Sequence, residues 1–183
     1  MKAHSDIKRI MFSARQIEER VKQVADEITQ DYQGKRPLIA GVLKGAWIFV
    51  ADLLRQVELD VDVDFICVAS YGGGRTYTSG EVTLLKDLTL NCTGRDVILV
   101  EDIVDSGITL SRIKEMLLER KANSVRIAAL LSKPSRRKVN VEINYLGFEV
   151  PDEFVVGYGM DFDEKFRTLC DICVLKKEAY GGE

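Results

Sequence analysis

Histidine is nearly absent from this sequence of 183 residues, in which His4 is the only one. Hydrolases of the Ser-His-Asp and Cys-His kinds depend on an imidazole that is held in a rigid site. We expect His4 to lie in a mobile segment, which cannot provide such a site. The sequence therefore excludes these two kinds of covalent catalysis.

Long apolar runs are also missing. No stretch approaches the roughly 18 residues that a membrane span requires, and the first ten residues, MKAHSDIKRI, lack the apolar core of a signal peptide. We therefore expect a cytoplasmic protein with no membrane partner.

An excess of charge of one sign is absent as well. The 26 basic and 29 acidic residues leave a net charge of -3, so the overall positive charge typical of a nucleic-acid-binding protein is missing. We expect no nucleic-acid partner, and any anionic ligand must be bound by a local feature of the chain.

Cysteines are few, at positions 67, 92, 170 and 173. In a reducing compartment they are not expected to form structural disulfides. Cys170 and Cys173 have CxxC spacing, but a structural zinc site usually needs four ligands, and the sequence offers one histidine. The favoured interpretation is that both cysteines flank or fill a late strand, DICVL, rather than bind zinc or undergo redox chemistry.

The common nucleotide-binding motifs are missing too. The sequence has neither a Walker GxxxxGK[ST] motif nor a GxGxxG after a strand, so nothing supports an ordinary nucleoside triphosphate or dinucleotide site. What the sequence does have is 46% hydrophobic residues, enough for one sizeable core. We expect a single domain over residues 1–183.

Strands and helices alternate along the chain. Ser13 and Gln16 have the spacing of a capping box, which predicts a helix over 13–31. A strand, LIAGVL, follows Pro37, then a helix over 46–57, then the strand VDVDFICVA with Val61, Val63, Phe65 and Cys67 facing inward. The remaining predictions are strands at 82–86 and 97–100, a helix over 109–120, the strand SVRIAALL, and short strands near 143–147, 154–157 and 172–175. This alternation predicts an α/β fold with a mainly parallel sheet.

The segment VILVEDIVDSGITL, residues 97–110, carries the strongest functional signal. Its first four residues are apolar without alternation, as in a strand buried on both faces. Ligands of such sheets bind beyond the carboxyl ends of the strands, which is where Glu101, Asp102 and Asp105 follow. Consecutive strand residues point to opposite sides, so at least one of the first two acids must face the crevice. Carboxylates there can accept hydrogen bonds from sugar hydroxyls or coordinate magnesium.

The turn DSGIT, residues 105–109, is typical of a phosphate site. Gly107 stands where the backbone needs a conformation or a close approach that a β-carbon would forbid, and Thr109 begins the next helix. Backbone N–H groups at a helix N-terminus can hold a phosphate, assisted by the Ser106 and Thr109 hydroxyls. The alternative is an acidic turn that only caps the helix, although one cap needs only one acid.

The segment of residues 97–110 resembles the phosphoribosyl pyrophosphate motif of type I phosphoribosyltransferases. Four further segments resemble the hypoxanthine-guanine phosphoribosyltransferases in order and spacing: LKG at 43–45, SYGGG at 70–74, LLSKPSRR at 130–137 and GFEVPDEFVVGYGMDFDEKFR at 147–167. The resemblance covers roughly residues 10–170. It implies the type I fold, with helices flanking the sheet, a small hood formed near the N-terminus and by about 143–175, and a flexible lid loop at about 70–81.

The resemblance also implies a reaction and a set of site residues. The reaction transfers a phosphoribosyl group from phosphoribosyl pyrophosphate to hypoxanthine or guanine and needs Mg²⁺, with Asp105 accepting the proton from the purine N7. The resemblance assigns the ribose and magnesium to Glu101 and Asp102, and the 5-phosphate to Asp105, Ser106, Gly107, Ile108 and Thr109. It assigns the pyrophosphate to Lys44, Gly45, Ser70, Tyr71 and Arg167. The purine is assigned to Lys133, Phe154, Val155 and Asp161, and Asp161 would also orient a second magnesium.

Hydrogen-bond polarity favours a 6-oxopurine as the base. Lys133 has only donors, so it suits an exocyclic oxygen and cannot pair with the amino group of adenine. Phe154 offers a face for stacking, and the backbone of Val155 would contact the ring edge. The alternatives are that Lys133 is a solvated cation, that Phe154 is a core residue, and that Arg167 forms a surface ion pair with Glu164.

Two rival functions and the oligomeric state stay open. A regulator on the same fold could sense phosphoribosyl pyrophosphate and bind RNA or DNA through the basic stretch Lys133, Arg136, Arg137 and Lys138. A transferase of the same fold could instead prefer xanthine, a pyrimidine or orotate. Relatives in the family are generally dimers or tetramers, so we expect a homodimer or a homotetramer.

Overall fold

A computed structural model describes residues 4–68 and 83–181 as an α/β structure with two sheets. The helices are α1 (Ala14–Asp31), α2 (Trp47–Leu54), α3 (Ile108–Glu119) and α4 (Lys177–Tyr180), with a short 3-10 helix at Pro134–Arg136. The strands are β1 (Ile7–Phe12), β2 (Leu38–Leu43), β3 (Asp62–Val68), β4 (Leu84–Lys86), β5 (Asp96–Val104), β6 (Ser124–Ser132), β7 (Tyr145–Glu149), β8 (Val155–Val156) and β9 (Ile172–Leu175).

The larger sheet has the order β4-β3-β2-β5-β6-β7. Strands β3, β2, β5, β6 and β7 run parallel, and β4 joins the edge antiparallel to β3. The predicted α/β class and the mainly parallel sheet are confirmed. Because β5 lies between β2 and β6, the acids that follow its buried part emerge at the middle of the sheet.

Each face of this sheet is covered by helices, which explains the unbroken apolar run in β5. Ile98 and Val100 pack with α1 and α2, whereas Val97 and Leu99 pack with α3 on the opposite face. All four side chains are fully buried. Parallel strands buried on both faces are expected to be apolar throughout, as this segment is.

The smaller sheet is antiparallel, in the order β1-β9-β8, and forms the hood. Strand β1 was not predicted from the sequence, because three of its six residues are exposed and its alternation is weak. It is held by pairing with β9, in which Ile7 faces Leu175 and Phe12 faces Ile172.

The predicted placement of Cys170 and Cys173 at a late strand is confirmed in the hood. Cys173 is buried inside β9, and Cys170 is exposed just before that strand. All four cysteines are free thiols.

The prediction for α1 is confirmed in detail. Ser13 is the N-cap, its hydroxyl accepts a hydrogen bond from the Gln16 backbone, and the Gln16 side chain accepts one from the Ser13 backbone. Helix α2 is shorter than the predicted 46–57, since it ends at Leu54.

The predicted orientation of β3 is wrong. Asp64 and Ile66 are the most buried residues of the strand, whereas Val63 is 38% exposed. Asp64 tolerates burial because it accepts hydrogen bonds from the Lys86 ammonium at 2.9 Å and from the backbone of Thr89 at 2.6 Å and Leu90 at 2.9 Å. A buried charge that is paired and hydrogen-bonded can replace the apolar residue that periodicity expects.

The predicted lid at about 70–81, with Ser70 and Tyr71, lies outside the described residues. In the parts of the chain that are described, no helix combines the length and hydrophobicity needed to cross a bilayer.

Candidate active site

A cleft of about 710 Å³ opens at the carboxyl ends of the parallel strands. This is the edge at which ligands of α/β sheets bind. The cleft is bordered by Lys44, Gly45, Glu101, Asp102, Asp105, Ser106, Gly107, Thr109, Asp161 and Arg167 among the residues predicted from the sequence. The turn after β2, the end of β5 and the segment after β8 thus converge on one space, although they lie far apart in the sequence.

Glu101 and Asp102 form a pair of carboxyl groups on the floor of the cleft. Burial, and next the charge of Asp102, raise the pKa of Glu101 well above its ordinary value. Burial also raises the pKa of Asp102. Two half-buried acids side by side resist carrying two charges unless a cation joins them. A divalent cation with a preference for oxygen ligands fits this pair.

Gly45 makes room for the second of these acids. A β-carbon at Gly45 would lie 1.6 Å from Asp102 Oδ2 and 2.5 Å from its Cγ, so the carboxylate rests directly against the backbone of the turn. The Leu43–Lys44 peptide bond in the same turn is cis. Only glycine permits this approach of carboxylate and main chain.

The turn of residues 105–109 leads from β5 into α3. Gly107 is the N-cap with φ +80°, and a β-carbon there would lie 2.7 Å from the Val139 carbonyl oxygen. The prediction that this position forbids a β-carbon is therefore confirmed. Helix α3 begins at Ile108, one residue before the predicted start, and Gly107 provides no side-chain cap. Because Asp105 is not the N-cap, the interpretation of these acids as helix caps fails.

Asp105 is surrounded by cations of the loop after β6. Lys133 Nζ lies 3.7 Å from Asp105 Oδ1, and Arg136 Nε lies 3.9 Å from Oδ2. Within residues 4–68 and 83–181, Oδ1 is buried and has no hydrogen-bond partner. Lys133 is itself only 5% exposed, so it is not a solvated loop cation.

Phe154 belongs to an aromatic cluster of the hood. Its ring stacks on Tyr180 with centroids 4.9 Å apart, and the edge of Phe162 meets it at 5.5 Å. Phe154 is half-buried, so part of the alternative interpretation, a core residue, is correct. Lys133, Phe154, Val155 and Ile108 do not border the cleft of the acids, and these predicted residues lie beyond it.

Arg167 makes the ion pair that the sequence allowed. Its guanidinium contacts Asp161 at 2.9 Å and Glu164 at 3.1 Å, and it donates to the Gly159 carbonyl at 2.8 Å. Glu164 also accepts a hydrogen bond from Lys44 at 3.0 Å, and these bonds lower the pKa of Glu164. The sequence analysis did not predict Glu164 as a residue of the cleft. Its position close to Arg167 in the segment DFDEKFR was the feature that could have indicated it.

The three carboxylates predicted to be associated with magnesium border the same cleft but do not form one cluster of metal ligands. Asp161 is occupied by Arg167, and no group of three or more possible metal ligands occurs among the described residues. Asp161 is separated along the chain from Glu101 and Asp102 and follows the hood strand β8, so local sequence could not predict the distance between them.

Three of the four cations in the basic stretch proposed for nucleic-acid binding have partners within the protein. Lys133 and Arg136 lie beside Asp105, and Arg136 also contacts Asp152 at 3.2 Å. Arg137 donates to the Ser132 hydroxyl at 2.7 Å. Because Arg136 and Lys138 are exposed, the buried part of the stretch is Lys133.

Comparison with known proteins identifies the family. A model of the phosphoribosyl transferase domain matches residues 11–163. The hypoxanthine-guanine phosphoribosyltransferase of Streptococcus thermophilus is 49% identical over 175 residues, which cover 96% of this chain and 97% of that protein. The bifunctional protein TilS/HprT of Listeria monocytogenes is 47% identical over 97% of this chain, but the chain spans only 27% of that protein's length.

A solved structure gives the same result in three dimensions. The hypoxanthine phosphoribosyltransferase of Staphylococcus aureus superimposes with a TM-score of 0.92 at 43% identity and covers 97% of this chain and 96% of that one. The fold agrees with these matches. The chain belongs to the phosphoribosyltransferase family, among the hypoxanthine-guanine phosphoribosyltransferases.

Proposed function

We propose that the chain is a purine-salvage enzyme that transfers the phosphoribosyl group of 5-phosphoribosyl 1-pyrophosphate to hypoxanthine and guanine, giving IMP or GMP and pyrophosphate. The observation that carries the proposal is the main-chain turn of residues 105–109 at the head of α3, which borders the same cleft as the half-buried pair Glu101–Asp102. A phosphate suits the first of these features, and sugar hydroxyls or a hard cation suit the second.

The 5-phosphate would be held by the turn of residues 105–109. Backbone N–H groups at the start of a helix point toward the bound anion, and the helix dipole favours negative charge. The Ser106 and Thr109 hydroxyls border the same cleft and would add donors, while Ile108 would contribute its backbone only. Glu101 and Asp102, at the end of β5, would then accept hydrogen bonds from the ribose.

Asp105 would accept the proton that the purine N7 loses. Its carboxylate borders the cleft, and its buried Oδ1 has no hydrogen-bond partner within the described parts of the chain. A positioned base of this kind contributes about 10²- to 10⁴-fold to a rate. The remaining catalysis would come from orientation of the ribose and from stabilisation of charge.

The base would be selected by Lys133 and held by the hood. Lys133 Nζ is a buried donor, which suits the exocyclic oxygen of hypoxanthine or guanine and opposes the amino group of adenine. Phe154 would stack on the base, with its other neighbours Tyr180 and Phe162 keeping the ring in place. Val155 and Asp161 would contact the edge of the base.

Magnesium would be held by Glu101 and Asp102, with Asp161 acting at a distance through water. The two half-buried carboxyl groups supply few ligands, which suits an ion that keeps several waters and shares phosphate oxygens with its substrate. When bound, the ion would neutralise charge on the pyrophosphate. Lys44, Gly45, Arg167 and the loop residues Ser70 and Tyr71 would bind that group. Lys44 and Arg167 would first have to break their ion pairs with Glu164 in order to bind the pyrophosphate.

Membership of the same family supports a proposal for domain organisation, location in the cell and oligomeric state. We propose that the chain acts as one domain, in the cytoplasm, as a homodimer or homotetramer. Sedimentation of the purified chain distinguishes these two assemblies from a monomer.

The test is a magnesium-dependent assay with phosphoribosyl pyrophosphate and adenine, hypoxanthine, guanine or xanthine in turn. We expect turnover of hypoxanthine or guanine and little of adenine. Asp105→Asn keeps the shape and removes the base, so kcat should fall by about 10²-fold or more. Asp26→Asn, an exposed acid on α1 that contacts Lys22 at 3.5 Å, is the matched control and should keep full activity. Equal use of adenine, or an unchanged rate in Asp105→Asn, contradicts the proposal, and a preference for xanthine would support that alternative.

A further inference from the structure

Arg137 lies behind the phosphate turn and has no role in the function proposed above. Its Cδ and Nη1 are 3.2 and 3.4 Å from the position of a β-carbon at Gly107. Arg137 does not border the cleft, and its side chain lies close to Gly107 of the turn. We propose that Arg137 is a positioning residue that supplies the positive charge under the 5-phosphate, an inference that rests on the proposed function.

The guanidinium is fixed in place by β6. Nη2 donates to the Ser132 hydroxyl at 2.7 Å, and Ser132 is only 3% exposed at the end of that strand. Nη1 is buried and lacks a hydrogen-bond partner in the described part of the chain. A buried donor without a partner costs free energy, so its retention at this place calls for a function.

The turn itself carries no cation. Residues 105–109 read Asp-Ser-Gly-Ile-Thr, and two further acids lie at the end of β5. Lys133 and Arg136 are both beside the Asp105 carboxylate. Within residues 4–68 and 83–181, Arg137 forms no salt bridge with any carboxylate, so its charge is available to a bound anion.

Arg137 and the turn are also connected mechanically. The backbone N–H groups of Lys138 and Val139 both donate to the Ser106 carbonyl at 3.0 Å, and the Val139 carbonyl lies against Gly107. The segment that follows Arg137 is therefore tied to the turn that would bind the phosphate. Partial burial of Arg137 strengthens an interaction of its charge relative to one in open water.

The experiment compares a ligand that has the phosphate with one that lacks it. Dissociation constants of IMP and inosine are measured for the wild-type chain, Arg137→Met, Arg137→Lys and Ser132→Ala, together with kcat and the KM for phosphoribosyl pyrophosphate. We expect Arg137→Met to weaken IMP by about tenfold or more, because a charged interaction contributes about 1.5 kcal/mol or more, and to leave inosine unchanged. KM should rise by a similar factor, while kcat changes less than about threefold.

The variants separate charge from shape. Arg137→Lys keeps the charge and should recover most of the IMP affinity, whereas Ser132→Ala keeps the charge but frees the guanidinium and should cost an intermediate factor. Lys138→Met removes an exposed positive charge from the next residue and is the matched control, with IMP binding expected to stay normal. If Arg137→Met does not fold, Ser132→Ala still tests the proposal, since unchanged IMP binding in it overturns the anchoring.

Equal losses of IMP and inosine in Arg137→Met would overturn the inference, and so would equal losses in Arg137→Met and Arg137→Lys. If the wild-type chain converts hypoxanthine and Arg137→Met binds IMP normally, the inference about Arg137 is refuted and the proposed function is not. A wild-type chain without transferase activity toward any of the four purines refutes the proposed function instead.

Discussion

Gly45→Ala should remove activity through a single steric contact. The new β-carbon would lie 1.6 Å from Asp102 Oδ2, and contacts of less than 3.0 Å are essentially never seen. The carboxylate must therefore move by about 1.4 Å to restore even that minimum contact. Asp102 can turn into the open cleft that it borders, so the fold should survive the substitution.

The loss can be estimated from that displacement. A shift of about 1 Å in a catalytic group costs on the order of 10²-fold in rate. We therefore expect kcat/KM for hypoxanthine to fall by about 10²-fold or more, which corresponds to roughly 2.7 kcal/mol of transition-state stabilisation. The thermal midpoint should change by only a few degrees.

The assay is steady-state transfer from phosphoribosyl pyrophosphate, accompanied by thermal unfolding. Gly34→Ala is the matched control, because Gly34 has φ +73° and nothing within 4 Å of an added β-carbon. It should cost about 1 kcal/mol of stability through backbone strain and leave kcat/KM unchanged. Near-normal activity in Gly45→Ala would refute the reasoning, since Asp102 would then not need its observed position.

Three further predictions concern other parts of the chain. Burial opposes the charge of Asp64, but hydrogen bonds from Leu90, Lys86, Phe65 and Thr89 outweigh it and hold the pKa of Asp64 well below its ordinary value. The stabilisation of the fold by the Asp64 carboxylate is thus complete above the unfolded pKa of about 3.9 and declines as the pH falls below it. Denaturant titrations should therefore show Asp64→Asn to be about 2 kcal/mol less stable than the wild type at pH 7 and closer to it near pH 3. Lys133→Gln should lower kcat/KM for hypoxanthine by about 10²-fold and narrow the discrimination against adenine, and an unaltered ratio of the two bases would contradict the role of this donor. Ser13→Ala should cost about 1 kcal/mol of unfolding free energy through loss of the capping box, without an effect on kcat, as chemical denaturation and the transfer assay can check.

Local patterns determined a large part of this protein. Three features depend only on neighbouring residues, so they could be predicted from the sequence without knowledge of the fold. They are the unbroken apolar run of β5, the capping box of α1 and the turn of residues 105–109. The parallel sheet follows from the alternation of such elements. The acids at the end of β5 could be assigned to a ligand site because strand ends in α/β sheets share one edge.

Predictions from local sequence patterns were wrong or incomplete where a long-range contact overrides a local preference. Asp64 faces inward on β3 because Lys86 and the backbone of residues 89 and 90 compensate its charge. Strand β1 exists because β9 pairs with it, although its own residues are half exposed. Asp161 is paired with Arg167, a residue six positions away that also donates a hydrogen bond to the Gly159 carbonyl.

The sequence alone thus determined the class of the fold, the turn of residues 105–109 and the carboxylates that accompany it, because each is encoded within a few consecutive residues. Tertiary structure decided that Gly45 receives Asp102, that Glu164 bridges Lys44 and Arg167, and that Arg137 lies beneath Gly107. These contacts join segments that are 3 to 120 residues apart along the chain, and only the packing of the strands on both sides of β5 brings the distant segments together.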